Sequence, residues 1–286
     1  MSVGALDQNH RAKLARNSLW VCFLLLGMVS MGWVPRIPEI KDAIGLSNGA
    51  FGFVLLGSTF GSITGAQLAG RFMHMYGSQR TIFVGVFIMP AGLAGMGLAT
   101  NALTLFLTLY IMGFGYALID MCYNFQGTVV EKILGRRYMS SFHAMWSTGA
   151  FLTTVVGGLI SRHVSPRANL IAIAVVSIIA YLIAAYYLLP RTIDGHKGDE
   201  EHASKIPLFG KGVMPLWLLG VGLLSSLVGE GAASDWGAIL LRDEMGYEKG
   251  VYASAFASFA LAMIVSRFLG DRALDHFGPA RLVQLG

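Results

Sequence analysis

Eight stretches of this chain are apolar for long enough to cross a bilayer, and that property limits the fold more tightly than any motif. They lie near 17–34, 50–70, 81–100, 102–126, 138–161, 168–189, 213–241 and 250–269, and a ninth begins at about 282. A hydrocarbon core of roughly 30 Å is spanned by about 20 helical residues. Backbone groups in lipid must close their hydrogen bonds internally, and runs of this length select helices over barrel strands, which are about half as long and alternate in polarity. With 55% hydrophobic and 13% charged residues, the chain is expected to be an all-α membrane protein rather than a soluble domain.

The net charge of +5 would suit nucleic acid, but the charges fall between the runs, so orientation is the better account. With the N-terminus in the cytoplasm, the segments 1–16, 71–80, 131–138, 190–212 and 267–281 hold 15 Lys or Arg, and the four outer loops hold 6. That asymmetry is the positive-inside bias. Trp20 and Trp217 fall near inner ends, and Trp33 and Trp236 near outer ends, as interfacial anchors would. Cys22 and Cys122 both lie inside apolar runs and read as small apolar residues, with no disulfide framework indicated. No small-residue cleavage site follows the first run, which reads as a retained helix.

The chain repeats itself at an offset of 201 residues. AGRFMHMYGSQR (69–80) returns as GDRALDHFGPAR (270–281), and KDAIGLSNGAF (41–51) as RDEMGYEKGVY (242–252). Between them, Gly57, Gly61 and Gly65 map onto Ser258, Ala262 and Ser266, a small residue every fourth position on both copies. Such stripes let helix backbones approach closely in lipid. Two like-oriented copies indicate parallel halves related by an axis along the membrane normal.

Gly70, Arg71, Gly77 and Arg80, repeated by Arg272, Asp275, Gly278 and Arg281, resemble the loop signature of the major facilitator superfamily, found between helices 2 and 3 and again between 8 and 9. The resemblance covers almost the whole chain. It implies two six-helix bundles: an N-terminal segment at 1–16, a first bundle at 17–189, a cytoplasmic link at 190–212 with a solvated acidic run Asp199–Glu201, and a second bundle from 213 to 286 that is incomplete in this chain. It further implies a monomeric bacterial inner-membrane carrier, N-terminus inside, that handles a small solute without a cofactor. Those loops then act as gates. His74 stands where the family usually carries the Asp that helps latch the inner gate, which leaves that role in doubt at this position. Residue 286 maps onto residue 85, so equal halves would make this chain a fragment of a longer protein.

Polar residues inside spans are the candidates for chemistry, because an ionised group there is costly unless paired or wetted. On the fourth span Tyr116, Asp120, Asn124, Gly127 and Glu131 share one helical face. Glu131 reaches the inner end beside Lys132, Arg136 and Arg137 and is expected in a surface ion pair. Asp120 lies deeper, either as a proton carrier or as a protonated group bonded between helices. The fifth span carries His143, Ser147, Ala150, Thr154 and Gly157, with Trp146 beside them. His143 is the one histidine of seven clearly within a span, and His titrates near neutral pH, although a lone core His is more often structural. Trp146 would stack on a sugar ring or cover a cation. GEGAASDWG (229–237) on the seventh span holds Glu230 and Asp235 between glycines that allow the helix to loosen at a midplane site. Their spacing of five separates them around an ideal helix; Glu230 is the first choice for a proton or substrate contact, and Asp235 lies nearer the outer rim. Arg36, in WVPRIP, is expected to snorkel to the interface, with an anion-guarding role as the alternative.

No phosphate-cradling GxxxxGK[ST] and no HExxH occurs, so neither ATP-driven transport nor metalloprotease chemistry has support. The fifth span lacks the Gly-Pro pair that the family's drug exporters carry before Gly-Gly; TTVV precedes Gly157 and Gly158. Proton-coupled symport is therefore expected over antiport, with a non-transporting sensor or remnant scaffold as the other class. Neutral polar or cationic solutes fit the apparent surplus of carboxylates better than multivalent anions.

Overall fold

The computed structural model describes residues 3–194 and 213–278, together with 280, 281 and 284. Among them the helices run α1 (Val3–Met31), α2 (Ile37–Ile44), α3 (Asn48–Tyr76), α4 (Ser78–Met96), α5 (Ala102–Leu134), α6 (Met139–Ile160), α7 (Pro166–Tyr186), α8 (Met214–Gly231), α9 (Gly237–Asp243) and α10 (Ser254–Phe277). A 3-10 turn at Val34–Arg36 joins α1 to α2, and a π-helical turn at Ala232–Trp236 joins α8 to α9, so each pair forms one span. The eight spans match the eight apolar runs. Seven of them meet the length and apolarity needed to cross a membrane. The eighth, α6, has the length at 22 residues, but seven Ser, Thr or His side chains lower its apolarity. The rest of the bundle link beyond Asp194, with its acidic run, and most of the expected ninth helix lie outside the described residues.

Local chemistry sets the helix boundaries. Ser47 and Ser165 accept hydrogen bonds from Ala50 N–H and Ala168 N–H at the starts of α3 and α7, and Asn101 with Thr104 forms a reciprocal capping box on α5. Glu131 departs from its expected surface ion pair: its Oε1 accepts the backbone N–H of Tyr138 at 2.5 Å and of Met139 at 2.8 Å. Gly135, left-handed at φ 65, turns the chain back and brings the start of α6 under that carboxylate.

The 201-residue repeat is present in the backbone. Gly45 (φ 75) pairs with Gly246 (φ 70), and Gly77 (φ 84) with Gly278 (φ 76); 246 − 45 and 278 − 77 both give 201. Those angles strain any residue with a Cβ. The small-residue stripe behaves differently in the two copies. Gly57, Gly61 and Gly65 lie directly against the backbone of Phe106, Tyr110 and Phe114 on α5, whereas Ser258, Ala262 and Ser266 on α10 are exposed. No described helix plays the part of α5 for α10, and α8 is exposed along Pro215–Gly229, as expected for a second bundle that is incomplete in this chain.

At the end of the bundles that the sequence assigns to the outside, the halves exchange ion pairs. Arg242 Nη1 lies 2.6 Å from Asp42 Oδ2, and Lys41 Nζ lies 3.9 Å from Asp243 Oδ2. Lys41 and Asp42 occupy the repeat positions of Arg242 and Asp243, so the two pairs are symmetry mates swapped across the seam. Arg162 adds a contact to Glu248 at 2.6 Å. Beneath them, Phe51 packs between Trp33 at 6.3 Å and Trp236 at 5.7 Å. Trp33 is therefore a buried core ring rather than an interfacial anchor. Arg36 does not snorkel either: it is 0% exposed, donates to Asn169 Oδ1 at 3.1 Å and to Glu39 Oε1 at 2.9 Å, and Glu39 continues to Lys249 at 2.8 Å. This end is closed.

At the opposite end a polar knot ties the α3–α4 loop to the chain after α7. Asp194 Oδ2, fully buried, accepts from Ser78 N–H at 3.1 Å and Ser78 Oγ at 2.8 Å; Gln126 Nε2 donates to Ser78 Oγ and to Leu189 O. Arg191 donates to the carbonyls of His74 and Met75.

Candidate functional site

Four helices bring polar groups to the seam between the bundles. α5 contributes Tyr116, Asp120 and Asn124, α6 contributes His143, Trp146 and Ser147, α8 contributes Glu230, and α10 contributes Arg267. On α5, Asn124 Nδ2 donates to the Asp120 carbonyl at 2.9 Å, which turns its Oδ1 towards α6. His143 Nε2–H donates to that oxygen at 3.1 Å, a tautomer assigned from the network, while the edge of Phe23 holds the ring at 5.1 Å. The fold thus joins Asn124 to His143 across two helices, while Asn124 reaches only the backbone carbonyl of Asp120 on its own helix.

The centre of the cluster is Arg267, the first residue of the segment 267–281 expected as an inner loop. It lies instead within α10, whose Phe256 and Ala260 are buried on the same face. Its Nη1 donates to Ser147 Oγ at 2.5 Å and to His143 O at 3.3 Å, and the guanidinium sits 5.2 Å from the Trp146 ring centre. Ser140 Oγ donates to the Arg267 carbonyl at 2.5 Å, fixing this stretch of α10 to α6. Glu230 Oε2 lies 3.8 Å from Arg267 Nη2, an ion pair without hydrogen-bond geometry. One cation on α10 therefore links the first bundle's polar face to the second bundle's carboxylate. Trp146 covers this protein cation at 5.2 Å.

The helix between Glu230 and Asp235 loosens as the glycines predict, adopting the π turn at Ala232–Trp236. Asp235 lies 3.2 Å from Ser234 Oγ, next to Trp236 and the outer aromatic cluster. Asp235 therefore lies beside the aromatic cluster of Phe51 and Trp236, and Glu230 faces Arg267. Among the predicted gating residues, Gly77 carries the turn, and a Cβ there would press on the Arg191 side chain. Gly70, Arg71, Arg80, Arg272 and Arg281 are exposed. The Asp275 side chain lies outside the described residues. Cys22 and Cys122 are buried thiols without a disulfide. Among the described residues no cluster of three or more metal-ligating side chains occurs.

Repeated helical halves with a charged cluster at their seam define a membrane transporter scaffold. The Major Facilitator Superfamily profile matches residues 14–286, and the chain belongs to that superfamily. It is 30% identical over 265 residues to an uncharacterized transporter of Sinorhizobium fredii, covering 92% of this chain and 68% of that protein. It is 26% identical over 284 residues to the membrane protein MosC of Rhizobium meliloti, covering 99% and 68%. Among solved structures, a variant of the nucleoside transporter NupG superposes with a TM-score of 0.68 at 14% identity, over 92% of this chain and 69% of that one. That likeness shows the fold. The chain spans about two thirds of the length of these relatives, and it is a multi-pass membrane transporter that serves a small-molecule substrate.

Proposed function

We propose that this chain belongs to a proton-coupled symporter of the cytoplasmic membrane, N-terminus inside, that moves its solute by rocking a first bundle (17–189) against a second that begins at 213. The observation that carries this reading is the Glu230–Arg267 pair at the seam, with Arg267 bonded to the His143 carbonyl and the His143 ring bonded to Asn124, one helical turn from Asp120. Ionisable groups at membrane depth are costly and mark ion or substrate pathways. A carboxylate 3.8 Å from its cation is held by charge alone, so taking up a proton releases it without breaking a hydrogen bond. The outer end, closed by ion pairs, makes this the state whose path leads inward, and the exposed arginines of the two loop copies flank the inner gate.

The test is uptake into proteoliposomes under an imposed proton gradient, with a solute panel and with Glu230→Gln at equal incorporation. Gradient-driven accumulation should be lost in the variant while exchange down a solute gradient persists. Accumulation that survives in Glu230→Gln removes this carboxylate from coupling. Solutes that bind without moving, in wild-type protein, would make the chain a sensor.

A further inference from the structure

We propose that the free edge of Arg267 is a docking site for a carboxylate or similar oxyanion on the substrate, seated beside the Trp146 indole, and that its occupation competes with Glu230. This rests on the seam being the solute site. Arg267 offers five donors in a planar fork suited to carboxylates. Nη1 is occupied by Ser147 Oγ and His143 O, whereas Nη2 has only the Glu230 oxygen at 3.8 Å and Nε has no acceptor among the described residues. The indole Nε1 of Trp146, a residue only 5% exposed, also lacks an acceptor. A buried donor without a partner costs on the order of 1–3 kcal/mol; the Trp146 indole is such a donor, and it stands beside a half-buried cation whose Nη2 and Nε donors have no hydrogen-bond acceptor among the described residues. They call for an acceptor-rich ligand.

The repeat shows that the fold does not require this charge. Subtracting 201 maps Arg267 onto Ala66 and Glu230 onto Val29. The first half builds the same helices with apolar residues at both positions, so the pair serves something other than packing. It also revises the substrate class expected from the sequence: with Arg267 in the seam, the apparent surplus of carboxylates is offset by a cation whose hydrogen bonds are incomplete.

Among the described residues, the charged and titratable groups facing this cation are Tyr116 on α5, His143 on α6 and Glu230 on α8; Asp120 lies behind Tyr116. Of these, Glu230 is the carboxylate at Nη2, the nitrogen an incoming anion needs. Binding is then strongest when Glu230 holds a proton, and affinity falls as pH rises by up to about tenfold per pH unit, the limit for one linked proton.

The experiment measures the melting temperature and binding affinity of the purified full-length protein in detergent, at about pH 6 and about pH 8. Lactate, gluconate and phenylacetate are compared with their uncharged amides. The acids should stabilise the protein and the amides should not; Arg267→Gln should abolish the difference, and Arg267→Lys should keep a weaker one. Glu230→Gln should bind acids equally at both pH values, and it decides the question if Arg267→Gln does not fold. Equal stabilisation by acids and amides would overturn the assignment, as would acid binding in Glu230→Gln that still falls with pH. Acids that bind but are never transported support the docking site and sink the carrier reading; amides transported as fast as acids do the reverse.

Discussion

The swapped ion pairs at the closed end predict how far a single charge reversal should open it. Arg242 holds Asp42 in a fork, Nη1 to Oδ2 at 2.6 Å and Nη2 to Oδ1 at 3.2 Å, while the mate pair Lys41–Asp243 is looser at 3.9 Å. Asp42 is 61% exposed, so screening limits the fork to about 1 kcal/mol despite its geometry, and the mate to less. Asp42→Arg removes the fork and sets two guanidinium groups face to face. A loss of about 1 kcal/mol shifts the closed-to-open ratio about fivefold. The assay is labelling of Phe51→Cys, a fully buried position under the latch, by an impermeant maleimide in a background with Cys22→Ser and Cys122→Ser. Asp42→Arg should raise the rate about fivefold, and the double reversal D42R/R242D should restore it. A rate that moves less than about twofold, or a double reversal that labels as fast as the single, would refute the latch.

Three further outcomes follow from packing. Gly27 and Gly149 bring α1 and α6 into backbone contact, each lying against a carbonyl of the other helix, Trp146 O and Leu24 O; Gly149→Ala should destabilise by about 1–3 kcal/mol in detergent unfolding, while Gly70→Ala, which faces open space, should be neutral. Glu131→Ala should cost about 1 kcal/mol by uncapping α6, and Glu131→Gln, which retains an acceptor, should cost less; thermal unfolding reads both. Arg36→Ala should cost about 1–3 kcal/mol, because it leaves the buried Asn169 amide oxygen without its donor while Glu39 keeps Lys249, and a folded yield equal to wild type would count against that pairing.

The spans, their number and the repeat were legible because each is written locally: hydrophobic run length, loop charge, and small residues at fixed offsets. The site was legible only in part. Asp120, Asn124 and His143 could be proposed from single helices, but the bond between Asn124 and His143 depends on how α5 meets α6, which no local pattern encodes. Arg267 was missed because the apolar run ends there and a positive charge at a run's end reads as a loop residue. A signal was present: Phe256, Ala260, Met263 and Arg267 follow the spacing of one helical face, and α10 continues to Phe277. Arg36 and Glu131 were misread for a shared reason. Their decisive partners, Asn169 and the Tyr138 and Met139 amides, come from another helix or the turn before one.

Where the two halves agree and where they part separates scaffold from chemistry. They agree at the ends: left-handed glycines at 45 and 246 and at 77 and 278, and latch residues that exchange partners across the seam. A turn or a latch shared by two rocking bodies works best when both carry the same part, so repetition there is what alternating access would favour. They part within the spans, where Glu230, Asp235 and Arg267 stand over Val29, Val34 and Ala66. A charge at membrane depth is unfavourable for folding, and the first half shows that its omission leaves the helices intact. The asymmetric charges are therefore the residues whose removal should change what is carried while sparing the fold, and the symmetric ones are those whose removal should change which way the protein faces.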